Sequence, residues 1–220
     1  MAEETVLIRD NGIHPVTCSQ GHESAVVVSS AKFEVLFDIA MYAIRDGYPR
    51  EAVSSFASSL ERFYEFFIRF THYCQGLEAS HFEAVWKSMA NQSERQLGAY
   101  INGYFTKYGE PPALLNNQKA SFRNKVIHKG YIPTVKEALA FGENVHSIIM
   151  EVVGRIEETE DKELGQFYRS TLPRADGYNR QTIGSTKGIA LNSKEKTREM
   201  ERATRVRDFS KVLADFKIPA

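Results

Sequence analysis

Apolar residues recur every three or four positions along most of the chain, the period of a helix with one buried face. Phe33, Leu36, Phe37, Ala40, Met41 and Ile44 form such a stripe, and Gly47 closes it. Pro49 opens a longer helix to about Tyr73, with Val53, Phe56, Ala57, Leu60, Phe63, Tyr64 and Phe67 on one side. The short break between these two stripes predicts an antiparallel pair. Ser80 with Glu83, and Ser93 with Gln96, have the spacing of capping boxes. They predict a short helix through Val85 and Trp86 and another that fades near Gly109. Pro111 and Pro112 interrupt the chain, and a further helix runs from about Ala113 to Lys129, ended by Gly130. Thr134 with Glu137 is a third capping box. Its helix carries Ala138, Val145, Ile149, Val152 and Ile156 on one face.

The two ends of the chain read differently. Thr5-Val6-Leu7-Ile8 is β-prone, Asp10-Asn11-Gly12 is a hairpin turn signal, and Ala25 to Val28 is a second β-branched run. After Thr171 the composition changes: Pro173, Gly177, Gly184 and Gly188 occur among few large apolar groups, which predicts a linker or long loop. Residues 194–216 are highly charged, with a sparse row of Val206, Phe209, Val212, Leu213 and Phe216. They read as an exposed amphipathic helix or a partner-binding arm. From Gln166 onward there are twelve Lys or Arg and six Asp or Glu. The organisation expected is a mainly α chain in three parts. A small β-hairpin element spans 1–30, a helical bundle 31–170, and a linker with a basic C-terminal helical arm 171–220. Strands are expected only before residue 30.

Composition narrows the chemistry. Lys plus Arg equals Asp plus Glu at 28 each, so the chain does not coat nucleic acid by net charge, although a local basic site stays open. Cys18 and Cys74 give neither a disulfide framework nor paired metal-ligand spacing. Cys18-Ser19-Gln20-Gly21-His22 resembles half of a zinc knuckle, with His14 as a third ligand, but no Cys-x-x-Cys partner accompanies it. A hairpin loop is the simpler reading, and neither a metal nor a cofactor is expected. No run of about 18 apolar residues occurs, and the Met-Ala-Glu-Glu start has no apolar signal core. The expected setting is the cytoplasm, without a membrane partner. Phe63, Phe66, Phe67 and Phe70 with Tyr64 have the spacing of a buried face, so they predict core or dimer interface rather than a base-stacking platform.

The segment Arg123-Asn124-Lys125-Val126-Ile127-His128 carries the most pointed chemistry. Arg9 and His14 repeat the same spacing in a strand-and-turn segment, so spacing alone decides nothing. Context distinguishes the two. At about 100° per residue Asn124 and His128 share a helical face, and Arg123, about 140° from His128, has a side chain long enough to curl toward it. His128 falls in the last turn, where the negative helix end favours a cation. An imidazole gives or takes a proton near neutral pH, and a guanidinium braces phosphate oxygens as charge builds on them. Asn124 can hold a phosphate or orient the imidazole. Attack by a 2′-hydroxyl on the adjacent phosphate needs no metal. Glu61 lies beside the apolar stripe, on the face of Ala57, Tyr64 and Ile68. It reads either as a bridge holding Arg123 or as a solvated edge charge.

The run Arg123 to Pro133 resembles the R-x4-H signature of HEPN domains, and Glu51 to Phe67 resembles the helix upstream of it in that family. The likeness covers roughly residues 31–156. It implies a helical bundle that dimerises with both Arg/His pairs facing one cleft. The activity implied is a metal-independent endoribonuclease cutting RNA, in toxins or in phage defence, with a neutralising or regulatory protein as a further partner. Matched residue by residue, Arg123, Asn124 and His128 carry the motif. Tyr131 is a possible addition, because some family toxins have a tyrosine just after the histidine; the usual gap is one residue and here it is two. The alternative is a non-catalytic helical module, binding RNA or protein, in which the Arg/His pair is structural.

Overall fold

The computed structural model describes residues 7–183, 186–189 and 208–218. Helix makes up 64% of the described residues, in seven helices. In chain order the elements are β1 (Ile13–Thr17), β2 (Glu23–Val28), α1 (Lys32–Arg45), α2 (Pro49–Cys74), α3 (Ala79–Trp86) and α4 (Ser93–Tyr108). Then come α5 (Asn117–Lys129), α6 (Val135–Ser170), β3 (Asn179–Ile183) and α7 (Phe209–Asp215).

The helical periods translate directly into packing. All seven stripe residues of α2 are buried, as are Ala138, Val145, Ile149, Val152 and Ile156 of α6. On α1, Phe33, Phe37, Ala40, Met41 and Ile44 are buried, while Leu36 is only half-buried. Tyr48 N–H bonds Ala43 O at 2.7 Å, closing the turn that folds α2 back along α1. The aromatic run of α2 is core: Phe33 meets Phe63 and Phe66 edge-on at 5.2 and 5.1 Å, and Tyr64 stacks on Tyr100 at 4.3 Å. Helix α6 opens with the Thr134/Glu137 capping box and is broken at Glu160, whose φ of −148° is non-helical. Glu160 there takes an ion pair from Lys107 of α4.

Several local expectations are corrected. The hairpin is β1 with β2, antiparallel, with Ile13 opposite Val27. Its turn lies at Cys18–His22, where Cys18 N–H meets His22 O at 3.0 Å and Gly21 adopts φ +81°. Asp10-Asn11-Gly12 instead forms a turn leading into β1, so Leu7 and Ile8 precede the sheet rather than build it, and Thr5 and Val6 lie outside the described residues. Strands are not confined to the first thirty residues. β3, from the segment read as linker, pairs parallel with β2, Ala25 opposite Arg180. A parallel partner needs a long crossover, and here the helical bundle is that crossover. Neither the Ser80/Glu83 nor the Ser93/Gln96 capping box forms; the N-caps are Glu78 and Gln92, without side-chain caps. Their polar groups have tertiary partners instead: Glu83 takes Arg69, Ser93 takes Glu61 and Gln96 takes Arg62. Helix α5 starts at Asn117 rather than near Ala113, because Asn116 caps it by accepting from Lys119 N–H at 2.9 Å.

The C-terminal apolar row is not an exposed arm where it is described. Val212, Phe216 and Ile218 are buried, Phe216 packs edge-on against Tyr42 at 4.9 Å, and Phe209 lies against His146. Asp38 accepts from Lys187 N–H and Gly188 N–H at 2.8 Å each, tying residues 186–189 to α1. Residues 194–207, including Val206, lie outside the described residues.

Helices α2 and α6 approach closely at Gly142. A Cβ on Gly142 would meet the Phe56 ring at 2.5 Å, and that ring is fully buried. Gly142→Ala is therefore expected to cost about 1–3 kcal/mol through overpacking. Gly98→Ala, on α4 with nothing within 4 Å, is expected to stabilise by about 0.5–1 kcal/mol. Urea unfolding of both variants reads this, and equal midpoints would contradict the close contact.

Candidate functional site

Helix α5 lies against α2 and buries a single residue, Val126. The rest of its surface is half-buried or exposed, and Asn124 and His128 are both exposed. From Pro111 to Lys136 the chain contains no Asp or Glu, while Lys119, Arg123, Lys125, Lys129 and Lys136 fall in that stretch. In a chain of zero net charge this makes α5 and its flanks a local cationic surface.

Arg123 is the anchored member. Its Nη2 donates to Glu61 Oε1 at 2.6 Å and its Nη1 donates to Asn124 Oδ1 at 3.1 Å. The same Glu61 oxygen accepts from Ser93 Oγ at 2.9 Å. Three helices thus meet on one carboxylate: α2 supplies Glu61, α5 supplies Arg123 and α4 supplies Ser93. The Arg123 and Glu61 side chains are 24% and 26% exposed. A pair with that much solvent contributes no more than about 1 kcal/mol, so its main effect is to fix where the guanidinium points. A guanidinium carries five N–H donors, and these two bonds use two of them.

His128 occupies the last turn of α5. Gly130 follows in the left-handed region at φ +69°, and its N–H returns to Lys125 O, as does Tyr131 N–H. The side-chain partners of Arg123 are Glu61 and Asn124, not His128; Arg123 and His128 are arranged by the helix they share. Tyr131 belongs to a separate cluster. Its hydroxyl donates to Glu137 at 3.0 Å, Lys125 Nζ sits 3.6 Å from its ring centroid, and Phe122 meets it edge-on. Of the five candidate residues, Glu61, Arg123 and Asn124 are in direct contact, His128 shares their helix, and Tyr131 stands apart with Glu137. Ser93 was not anticipated as a member. The acid-free stretch was legible in the sequence and is the signal that marks the patch.

Elsewhere, Cys18 and His22 lie in the hairpin loop with Sγ and Nδ1 3.6 Å apart, and the second Arg/His pair is a local backbone contact, Arg9 N–H to His14 Nε2 at 2.9 Å. Among the described residues no three His, Cys, Asp or Glu side chains converge as a metal site. No described helix is long and apolar enough to cross a membrane. Comparison of the chain with protein-family models, curated proteins and solved structures finds no match.

The segment after His128 has its own titration. Thr134 N–H, the Thr134 hydroxyl and the Tyr131 hydroxyl all donate to Glu137 and hold its carboxyl below the ordinary 4.5. A carboxyl depressed in the folded state adds stability above its unfolded pKa and loses it as pH falls through the folded value. Amide exchange at the first turn of α6 should therefore accelerate, relative to α2, as pH drops below 4.5. Glu137→Gln should exchange faster at neutral pH and lack that acid response; the same acid response in both proteins would contradict the clamp.

Proposed function

We propose that the protein is a metal-independent endoribonuclease of the HEPN kind, acting as an isologous homodimer through Arg123, Asn124 and His128. The observation that carries the reading is an exposed histidine on the same cationic helix as an arginine already braced by a carboxylate. A solvent-facing imidazole is available to substrate, and a guanidinium with a fixed direction is suited to charge that develops in a transition state. The resemblance of Arg123 to Pro133 to the R-x4-H signature adds the class of substrate. It also adds a role as a toxin or in phage defence, in the cytoplasm, with a neutralising or regulatory protein as partner.

The chemistry follows from one phosphodiester and two protomers. One His128 takes the proton of the 2′-hydroxyl, whose oxygen bonds to phosphorus. The bond from phosphorus to the 5′-oxygen breaks, and the His128 of the other protomer, in its protonated form, gives that oxygen a proton. Arg123 stabilises the phosphate oxygens throughout. The products are a 2′,3′-cyclic phosphate and a 5′-hydroxyl. Two-fold symmetry supplies the acceptor and the donor from one histidine in the sequence. A second reading, a non-catalytic module, draws on the Glu61 bridge: a carboxylate shared by α2, α4 and α5 is also what a purely structural tie looks like.

Catalysis separates the two. The purified protein is expected to cut single-stranded RNA in EDTA, and His128→Ala is expected to lose roughly 10²–10⁴-fold in rate with its thermal midpoint unchanged. Glu61→Gln is expected to lose rate while still binding RNA, because the arginine stays but loses its direction. Activity that requires magnesium, or an unchanged His128→Ala rate, would remove this mechanism. A protein that cleaves while monomeric at micromolar concentration would refute the shared site.

A further inference from the structure

A concave site lies beside Arg62, Glu65 and Arg69 of α2. It is a cleft of about 660 Å³ between α1, residues 8–12 and the end of α6. Its floor is aromatic: Phe33, Phe66 and Phe167 are buried there, with ring centroids 5.1 and 5.4 Å apart in sequence. Aliphatic side chains line the walls, Leu36 and Ile39 on α1 and Leu172 beyond α6. Leu36 follows the core period of α1 yet is only half-buried, and Ile39 is 40% exposed. Both face the cleft instead of a neighbouring element. The volume falls in the range of about 300–1,000 Å³ typical of small-molecule sites, which are lined mainly by apolar and aromatic side chains.

The charges on the lining are unbalanced. Arg9, Lys32, Arg62 and Arg69 face it with only Asp10 and Glu65, four cations against two anions. Glu65 is shared by Arg62 and Arg69, and Glu83, outside the lining, takes part of Arg69. Lys32 pairs with Asp10, but those side chains are 51% and 91% exposed, a pair that a competing anion exchanges at little cost. Arg62 is held by Glu65 and Gln96, so an occupant with one negative head meets Arg9 and, in place of Asp10, Lys32, while its apolar body covers the aromatic floor.

We propose that this cleft binds a small amphipathic anion, a medium-chain fatty carboxylate, with its chain on Phe33, Phe66 and Phe167 and its head at the cationic rim. The site shares no residue with Arg123, Asn124 or His128, so it stands or falls independently of the ribonuclease reading.

The test is a titration of the full chain with dodecanoate, followed by displacement of anilinonaphthalene sulfonate fluorescence, beside dodecylammonium, which has the same chain and the opposite charge. Dodecanoate should displace the dye saturably below its micelle concentration, and dodecylammonium should not. Ile39→Glu puts a carboxylate at the mouth on a side chain already in solvent, so the fold, checked by thermal melting, should survive. Its dodecanoate affinity should fall about tenfold or more, while Ile39→Gln keeps most of it. Absence of saturable binding to the wild type, equal displacement by dodecylammonium, or unchanged binding by a folded Ile39→Glu would each overturn the proposal. So would loss of self-association in Ile39→Glu without loss of dodecanoate binding, which would assign the face to a second copy of the chain.

Discussion

The burial of α2 is the constraint on which the rest of the structure depends. Half of its residues are buried, among them Phe56, Phe63, Phe66, Phe67 and Phe70, and α1, α3, α4, α5 and α6 all pack against it. Aromatic side chains of this size dominate the energetics of a core, and each needs neighbours on several sides. A helix covered so completely has little surface left for charge. Beyond its first turn, its long charged side chains are Glu61, Arg62, Glu65 and Arg69, and they fall within an arc of about 100°. That strip is where α2 addresses the polar parts of the fold. At one end Glu61 directs Arg123; in the middle Arg62 joins Gln96 of α4; at the other end Arg69 reaches Glu83 of α3. The strip is a consequence of burying the rest of α2, and both the Arg123 contact and the cleft beside α1 border it.

This explains what was legible in the sequence and what was not. Stripes on α1, α2 and α6 could be read because burial against a neighbour imposes the helical period wherever it occurs. Thr134 with Glu137 was readable because both partners of that cap are local. Ser80, Ser93 and Gln96 were not, because a capping pattern competes with tertiary partners that spacing does not reveal. Arg69, 14 residues away in the chain, claims Glu83; Glu61 claims Ser93. β3 was invisible for a related reason. Asn-Arg-Gln-Thr-Ile has little β character of its own, and its order comes from the free edge of β2, distant in sequence. The apolar row of α7 was legible as a row, but whether it faces solvent or Tyr42 and His146 is decided by a surface on other elements.

The site divides in the same way. Arg123, Asn124 and His128 stand on one helix, so their mutual placement follows from its pitch. The bridge to Glu61 is long-range, and it was foreseen only as one of two readings, because the edge of a buried stripe is where a carboxylate can reach a neighbouring helix. Ser93 as a second donor to that carboxylate had no sequence signal. The cationic character of the surface, by contrast, is written in the chain as the absence of any acid between Glu110 and Glu137. That absence gives a neutral protein a locally cationic stretch.

The central claim is that this surface uses the 2′-hydroxyl of RNA as nucleophile. The direct measurement uses two oligonucleotides of one sequence, all-ribose or carrying a single 2′-deoxy nucleotide at the mapped cut. The account predicts that both bind, that the first is cut to a 2′,3′-cyclic phosphate in EDTA, and that the second resists at the substituted position. Cleavage at the deoxy position at the same rate would contradict it.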